Sequence, residues 1–217
     1  MTVRKIFDEE LSELKLQLVK MCRVTEEMMA DSITALTQRD YELAQSVVYL
    51  DKKVDEYEMN IEKQCLRLLI KQQPVARDFR TVSSALKIIT DVERIGDQAA
   101  DISALTSSFK EEKNFDCPDL IPKMGELAIK MVKEAINSFV NENPFAADDV
   151  IKADDEMDDM FDEFKKQTVE KIKQNSQCAD TAILFMMIAK YLERIGDHAV
   201  NICEWTKYNE SGVHVKV

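Results

Sequence analysis

The chain reads as all-α: two tandem, duplicated three-helix bundles, elongated in outline. Three observations predict this. Breakers are few, with 4 Gly and 4 Pro in 217 residues. Glu, Lys, Leu, Met and Ala, which favour helix, are plentiful. One acidic phrase occurs twice, "VERIGDQAADI" from Val92 and "LERIGDHAVNI" from Leu192, with its glutamates 100 residues apart.

The helices follow from hydrophobic periodicity. Phe7, Leu11, Leu14, Leu18, Met21, Thr25, Met28, Ser32 and Ala35 step by four and three, the stripe of a long amphipathic helix ending near Gln38. A second helix runs from about Asp40 to Gln72 with Val47, Leu50, Val54, Tyr57, Ile61, Cys65 and Leu68 on its stripe, and Pro74 breaks it. The third carries Val82, Ala85, Ile89, Val92, Ala99 and Ile102 and fades near Ser108. "KEEKNFDCPDLIPK" (Lys110 to Lys123) is polar with two prolines and is the linker. A fourth helix runs from near Asp119 to before Pro144, a fifth from about Pro144 to Asn175, and a sixth from about Cys178 to Tyr208, with a frayed tail expected beyond.

The halves match beyond the opening phrase. "LDKKVD" (Leu50 to Asp55) aligns with "ADDEMD" (Ala153 to Asp158), and Met21 and Met28 align with Met124 and Met131 at the same offset. This is an internal duplication. It divides the chain into a first bundle at 1–109, a linker at 110–118 and a second bundle at 119–217. Short links favour antiparallel neighbours, so each bundle should run up, down and up.

Composition excludes some functions. The net charge of −12 opposes binding to nucleic acid by phosphate neutralisation, and adhesion to an anionic membrane. It suits cations or basic partners. No stretch of about 18 apolar residues exists, and the opening residues show no apolar signal segment. A soluble, cytoplasmic protein is expected. The five cysteines, Cys22, Cys65, Cys117, Cys178 and Cys203, are odd in number and form no CxxC, which argues against disulfides and thiolate zinc. There is no glycine-rich loop, Ser-His-Asp set or thiolate-histidine pair, so no enzyme is expected.

The acids carry the chemistry. Residues four apart lie about 40° apart in azimuth and about 6 Å apart along a helix axis. Glu93, Asp97 and Asp101 therefore form one ladder, and Glu193, Asp197 and Asn201 its counterpart. The preceding helices offer Asp51 with Asp55, and Asp154 with Asp158, at the same spacing. Like charges at that spacing destabilise a helix by roughly 0.2–0.5 kcal/mol per pair. Arg94 and Arg194 could offset part of this, and bound cations more. Hard cations take several oxygen ligands, and carboxylates on facing helices can present them. An all-oxygen set suits Mg, Ca, Mn or iron better than structural zinc. His198 has Gln98 as its counterpart, so imidazole is no part of the shared design. Gly96 and Gly196, inside these helices, imply close approach of a neighbouring helix or of an ion. The alternative, a carboxylate-bridged metal oxidase or iron-storage bundle, typically uses Glu-x-x-His pairs. Here Gly96 and Gly196 stand three residues after the glutamates.

"ERIGDQAADI" and "ERIGDHAVNI", each preceded by a DxxxD helix, together with "KQQPVARDFR" (Lys71 to Arg80), resemble the PhoU family of phosphate-signalling accessory proteins. The resemblance implies two three-helix bundles, usually in a homodimer, with a multinuclear iron or zinc cluster on each. Carried over by position, the ligands are Asp51, Asp55, Glu93, Asp97 and Asp101 in the first half. In the second they are Asp154, Asp158, Glu193 and Asp197, with uncharged Asn201 opposite Asp101. The resemblance further implies negative regulation of phosphate uptake and of the phosphate-starvation response. The partners would be the ATP-driven phosphate ABC transporter, with its ATPase, and a membrane sensor histidine kinase.

Overall fold

The structure is a computed structural model that describes residues 3–72, 74–111 and 116–214. Six helices follow one another: α1 Val3–Gln38, α2 Tyr41–Gln72, α3 Ala76–Ser108, α4 Leu120–Val140, α5 Pro144–Gln174 and α6 Ala179–Ser211. Short 3-10 turns follow α3 and precede α6. Among the described residues there is no strand. No helix among them is long and apolar enough to cross a membrane. The centre of the expected linker, residues 112–115, lies outside the described residues, as does Gln73.

The predicted stripes are the buried faces. On α1, Phe7, Leu14, Leu18, Met21, Met28 and Ala35 are buried. Thr25 and Ser32 share that face because their hydroxyls donate back to the carbonyls of Met21 and Met29, at 3.2 and 2.8 Å. Burying each large aliphatic side chain contributes about 1.5–3 kcal/mol.

The duplication extends to the corners. After α1 the chain turns through Arg39 at φ 57°, and Asp40 N–H donates to the Ala35 carbonyl at 2.9 Å. After α4 it turns through Glu142 at φ 54°, and Asn143 N–H donates to the Ser138 carbonyl at 2.8 Å. Both are left-handed C-caps built without glycine. Asp40 Oδ1 then accepts from Glu42 and Leu43 N–H at 3.1 and 2.9 Å, capping α2. Pro144 opens α5, where the missing N–H costs nothing. Glu142 is held by Lys15 at 2.6 Å and Arg77 at 2.9 Å.

Each set of three helices packs together, and the two bundles lie against each other through α1 with α4 and α3 with α6. One continuous core runs through both. Phe109, fully buried just past α3, reaches Phe185 of α6 with ring centroids 4.8 Å apart. The antiparallel α3 and α6 are tied along their length. Thr81 Oγ1 donates to Asn209 Oδ1 at 2.9 Å, and Ser84 Oγ to the Trp205 carbonyl at 3.2 Å. His198 Nδ1 lies 2.9 Å from Asp91 Oδ1.

These ties correct the frayed end expected beyond Tyr208. The sixth helix continues to Ser211 because Asn209 is buried against α3, and Gly212 stops it at φ 75°. His214 then packs edge-on to Trp205 at 4.5 Å. Cys22, Cys65 and Cys203 are buried, and all five cysteines are free.

Candidate metal centres

In the first bundle α2 and α3 run antiparallel, bringing Asp51, Asp55 and Glu58 alongside Glu93, Asp97 and Asp101. Crowding disfavours their ionised forms. Burial, then the charges of Asp97, Glu58, Asp55 and Asp51, pushes Glu93 up to about 7. Burial, then Asp97, Asp55 and Asp101, pushes Asp51 up to about 6. Asp97 is raised by burial, Asp55 and Asp101, against which Arg94 acts as a weaker opposing charge.

The second bundle repeats the arrangement on α5 and α6. Burial, then Asp197, Asp158, Glu193 and Asp155, pushes Asp154 up to about 6. Asp158 and Asp197 are raised by burial and then by Glu193. Lys190 opposes both shifts.

One further feature recurs in both halves. Asp51 Oδ1 and Asp154 Oδ1 are buried and have no hydrogen-bond partner among the described residues. An unpartnered buried acceptor costs about 1–3 kcal/mol, and a charged one more. A hard cation is the kind of partner such an oxygen lacks. Among the described residues, however, no three His, Cys, Asp or Glu side chains converge into a closed ligand set. Mutually repelling carboxylates share a face but hold apart.

The glycines explain how the helices come close enough. A Cβ on Gly96 would lie 3.3 Å from Val54 Cγ1, so this glycine admits α2 against α3. A Cβ on Gly196 would lie 3.1 Å from Asp154 Oδ1 and 3.4 Å from Met157 Cγ. In the second half the glycine therefore opens the slot that holds the orphaned oxygen itself.

The last position of each ladder also faces the other bundle. Asp101 is exposed and faces the Tyr191 hydroxyl, whose pKa is raised first by burial and then by Asp101. Asn201 Nδ2 donates to Asp91 Oδ1 at 3.2 Å, beside the His198 contact in the joint between bundles. His198 is satisfied there.

Four residues at these centres escape the sequence reading: Glu58, Thr90, Phe161 and Lys190. Glu58 joins the first cluster, and its Oε1 accepts from Thr90 Oγ1 at 3.1 Å. Its spacing, three residues after Asp55 and seven after Asp51, places it on the same helical face and is a signal that could find it. Lys190, three before Glu193, donates to Glu193 Oε1 at 2.5 Å. It also sits over the Phe161 ring, 5.4 Å from its centroid.

Fold and site together define a class: a duplicated all-α protein in which each three-helix bundle carries a surface ladder of carboxylates. The chain belongs to the PhoU family, whose PhoU domain matches residues 18–106 and again 121–206. It is 33% identical over 213 residues to the phosphate-specific transport system accessory protein PhoU homolog of Clostridium acetobutylicum, covering 98% of this chain and 97% of that one. The PhoU homolog 1 of Thermotoga maritima is 32% identical over 97% of this chain and 91% of its own. The crystal structure of PhoU from Pseudomonas aeruginosa superposes with a TM-score of 0.91 at 30% identity, over 95% of this chain and all of that one. The phosphate transport system regulatory protein PhoU from Streptococcus pneumoniae also gives 0.91, at 26% identity, over 97% of this chain and all of that one.

Proposed function

We propose that this protein is a negative regulator of phosphate uptake and of the phosphate-starvation response. It acts in the cytoplasm as a non-catalytic adaptor between the ATPase of a phosphate ABC transporter and a membrane sensor histidine kinase, as a homodimer. The observation that carries the reading is the twofold PhoU match over nearly the whole chain, together with end-to-end similarity to relatives named for phosphate transport. The acidic surface and the lack of a nucleophile constellation favour an adaptor over an enzyme.

Each half would hold a metal cluster, of iron or zinc by family resemblance. Asp51, Asp55, Glu93, Asp97 and Asp101 would hold the first, and Asp154, Asp158, Glu193 and Asp197 the second. The orphaned oxygens of Asp51 and Asp154 support this placement. When bound, the metal supplies positive charge that neutralises the ladders and links neighbouring helices. The residues do the rest. Their carboxylates orient toward a shared face, while Val54 and Met157 close the packing beneath them.

The test is deletion of the gene in its source cell, with phosphate uptake and starvation-gene expression read at high phosphate. Derepression, restored to normal by the wild-type gene, is expected. Unchanged uptake and expression would overturn the regulatory reading. Protein purified without chelator should carry metal, and Glu93→Ala with Asp97→Ala should remove it from the first half with the helices intact.

A further inference from the structure

We infer that the second bundle carries a small-molecule site near its α5–α6 corner, built for a zwitterion with an apolar body, the chemistry of a free apolar amino acid. The site lies apart from the carboxylate ladders. Thr168, at its centre, is ten residues past Asp158, about 15 Å along the helix.

The site exists because the duplication is incomplete. α1 has 36 residues and α4 only 21, yet the two end at equivalent corners, so α4 lacks about four opening turns. In the first bundle those turns cover the ends of α2 and α3. Phe7 and Leu14 are buried there, Arg4 pairs with Asp78, and Gln64 Nε2 donates to the Glu10 carbonyl at 3.1 Å. Among the described residues, no α-helix takes that place in the second bundle. A cavity of about 280 Å³ opens instead between α5, α6 and the segment holding Asp116 and Pro118.

The residues differ to match. Cys65 and Leu68, fully buried on α2, stand where α5 has Thr168 and Lys171. The slot is graded along its length. Phe164, Ala182 and Phe185 form an apolar end, and Asn175 and Gln177 a polar end at the corner. Between them lies Thr168, 8% exposed, whose hydroxyl has no hydrogen-bond partner among the described residues. Thr25, Thr106 and Thr206, also buried, each donate to the carbonyl four residues back. Thr168 instead keeps its hydroxyl free on the cavity wall.

The charges set the class of ligand. Among the described residues lining the cavity, Lys171 and Asp116 are the only charged ones, and neither makes an ion pair with another described residue. Lys173, the next cation along α5, is already held by Glu170 at 2.7 Å. A cation on α5 and an anion on a separate wall suit a ligand with both charges, its carboxylate toward Lys171 and its ammonium toward Asp116. The apolar body then lies against Phe164 and Phe185, and Thr168 hydrogen-bonds the ligand. The volume, at the small end of ligand pockets, admits one such molecule.

The experiment is calorimetric titration of the full chain with L-leucine and L-phenylalanine, each beside its decarboxylated amine and its deaminated acid. At least one amino acid should bind, with both of its single-charge analogues about tenfold weaker or more. Bound ligand should slow iodoacetamide labelling of Cys178, which lines the same cavity and is read by mass spectrometry. Lys171→Gln and Asp116→Asn should each weaken binding about tenfold, and Thr168→Val about fivefold. Lys171 and Asp116 are exposed, so their variants should keep the helices, which circular dichroism checks. Lys171→Leu, which restores the first-half residue, should abolish binding. No binding of either amino acid at millimolar concentration would overturn the inference. So would analogues that bind equally well, affinities unchanged in Lys171→Gln and Asp116→Asn, or binding that leaves Cys178 labelling unaltered.

Discussion

His198 Nδ1 lies 2.9 Å from Asp91 Oδ1, and this buried pair joins α6 of one half to α3 of the other. Asn201 Nδ2 adds a second donor to the same oxygen at 3.2 Å. His198→Ala leaves a buried carboxylate with the amide alone. The expected cost is about 2 kcal/mol of unfolding free energy, against about 1 kcal/mol for Asn201→Ala. Urea denaturation at neutral pH measures both. Equal small effects would mean that the joint is held by apolar packing alone.

The raised carboxyls predict how the metal-free protein responds to pH. A group whose folded pKa is raised contributes most to stability below its unfolded pKa, and that contribution is lost as pH climbs through the folded value. Glu93 at about 7 and Asp51 and Asp154 at about 6 place the loss between about pH 4 and pH 7. Glu93→Gln should therefore stabilise metal-free protein at pH 8 by about 1 kcal/mol, after discounting for solvent screening, with little effect at pH 4. Melting curves across this range compare the two, and parallel pH profiles would count against crowding at Glu93.

Gly196→Ala places a methyl 3.1 Å from Asp154 Oδ1. Alanine gains about 1 kcal/mol of helix propensity over glycine, which offsets the crowding. Stability should change by less than about 1 kcal/mol. Metal content of the second half should fall, because the oxygen is displaced from its slot. Metal analysis of the variant beside Gly96→Ala, whose methyl meets Val54 first, distinguishes a site effect from a packing effect.

Phe109→Ala removes a fully buried ring that bridges the end of the first bundle to Phe185. A loss of about 3–5 kcal/mol is expected. Because one core spans both halves, unfolding should remain a single transition. Two separated transitions in calorimetry would show that the halves unfold independently.

Much of the architecture is legible in the chain's own periodicity. The i, i+3, i+4 stripes depend on local geometry, so helix limits are readable to within a few residues, and the corner at Pro144 needs only the rule that proline opens a helix. The last turn of α6 is not legible in this way, because its polar residues are stabilised from elsewhere: Asn209 is held by Thr81, 128 residues away in sequence. The ladders are visible as spacing on single helices. Glu58 lies outside the DxxxD unit, yet its spacing puts it on the same face, and only its meeting with Thr90 shows what it does there.

By itself, the sequence determined the helices, the duplication and the acids assigned to each ladder, because all three are periodic or repeated along one dimension. The tertiary structure decided what those acids face. Packing α2 against α3 and α5 against α6 sets Glu58 beside Thr90 in one half and Lys190 beside Phe161 in the other. It also turns Asn201 toward Asp91 in the joint between bundles. Charge interactions act through space and fall with distance, so the environment of each ladder is settled only when the helices meet.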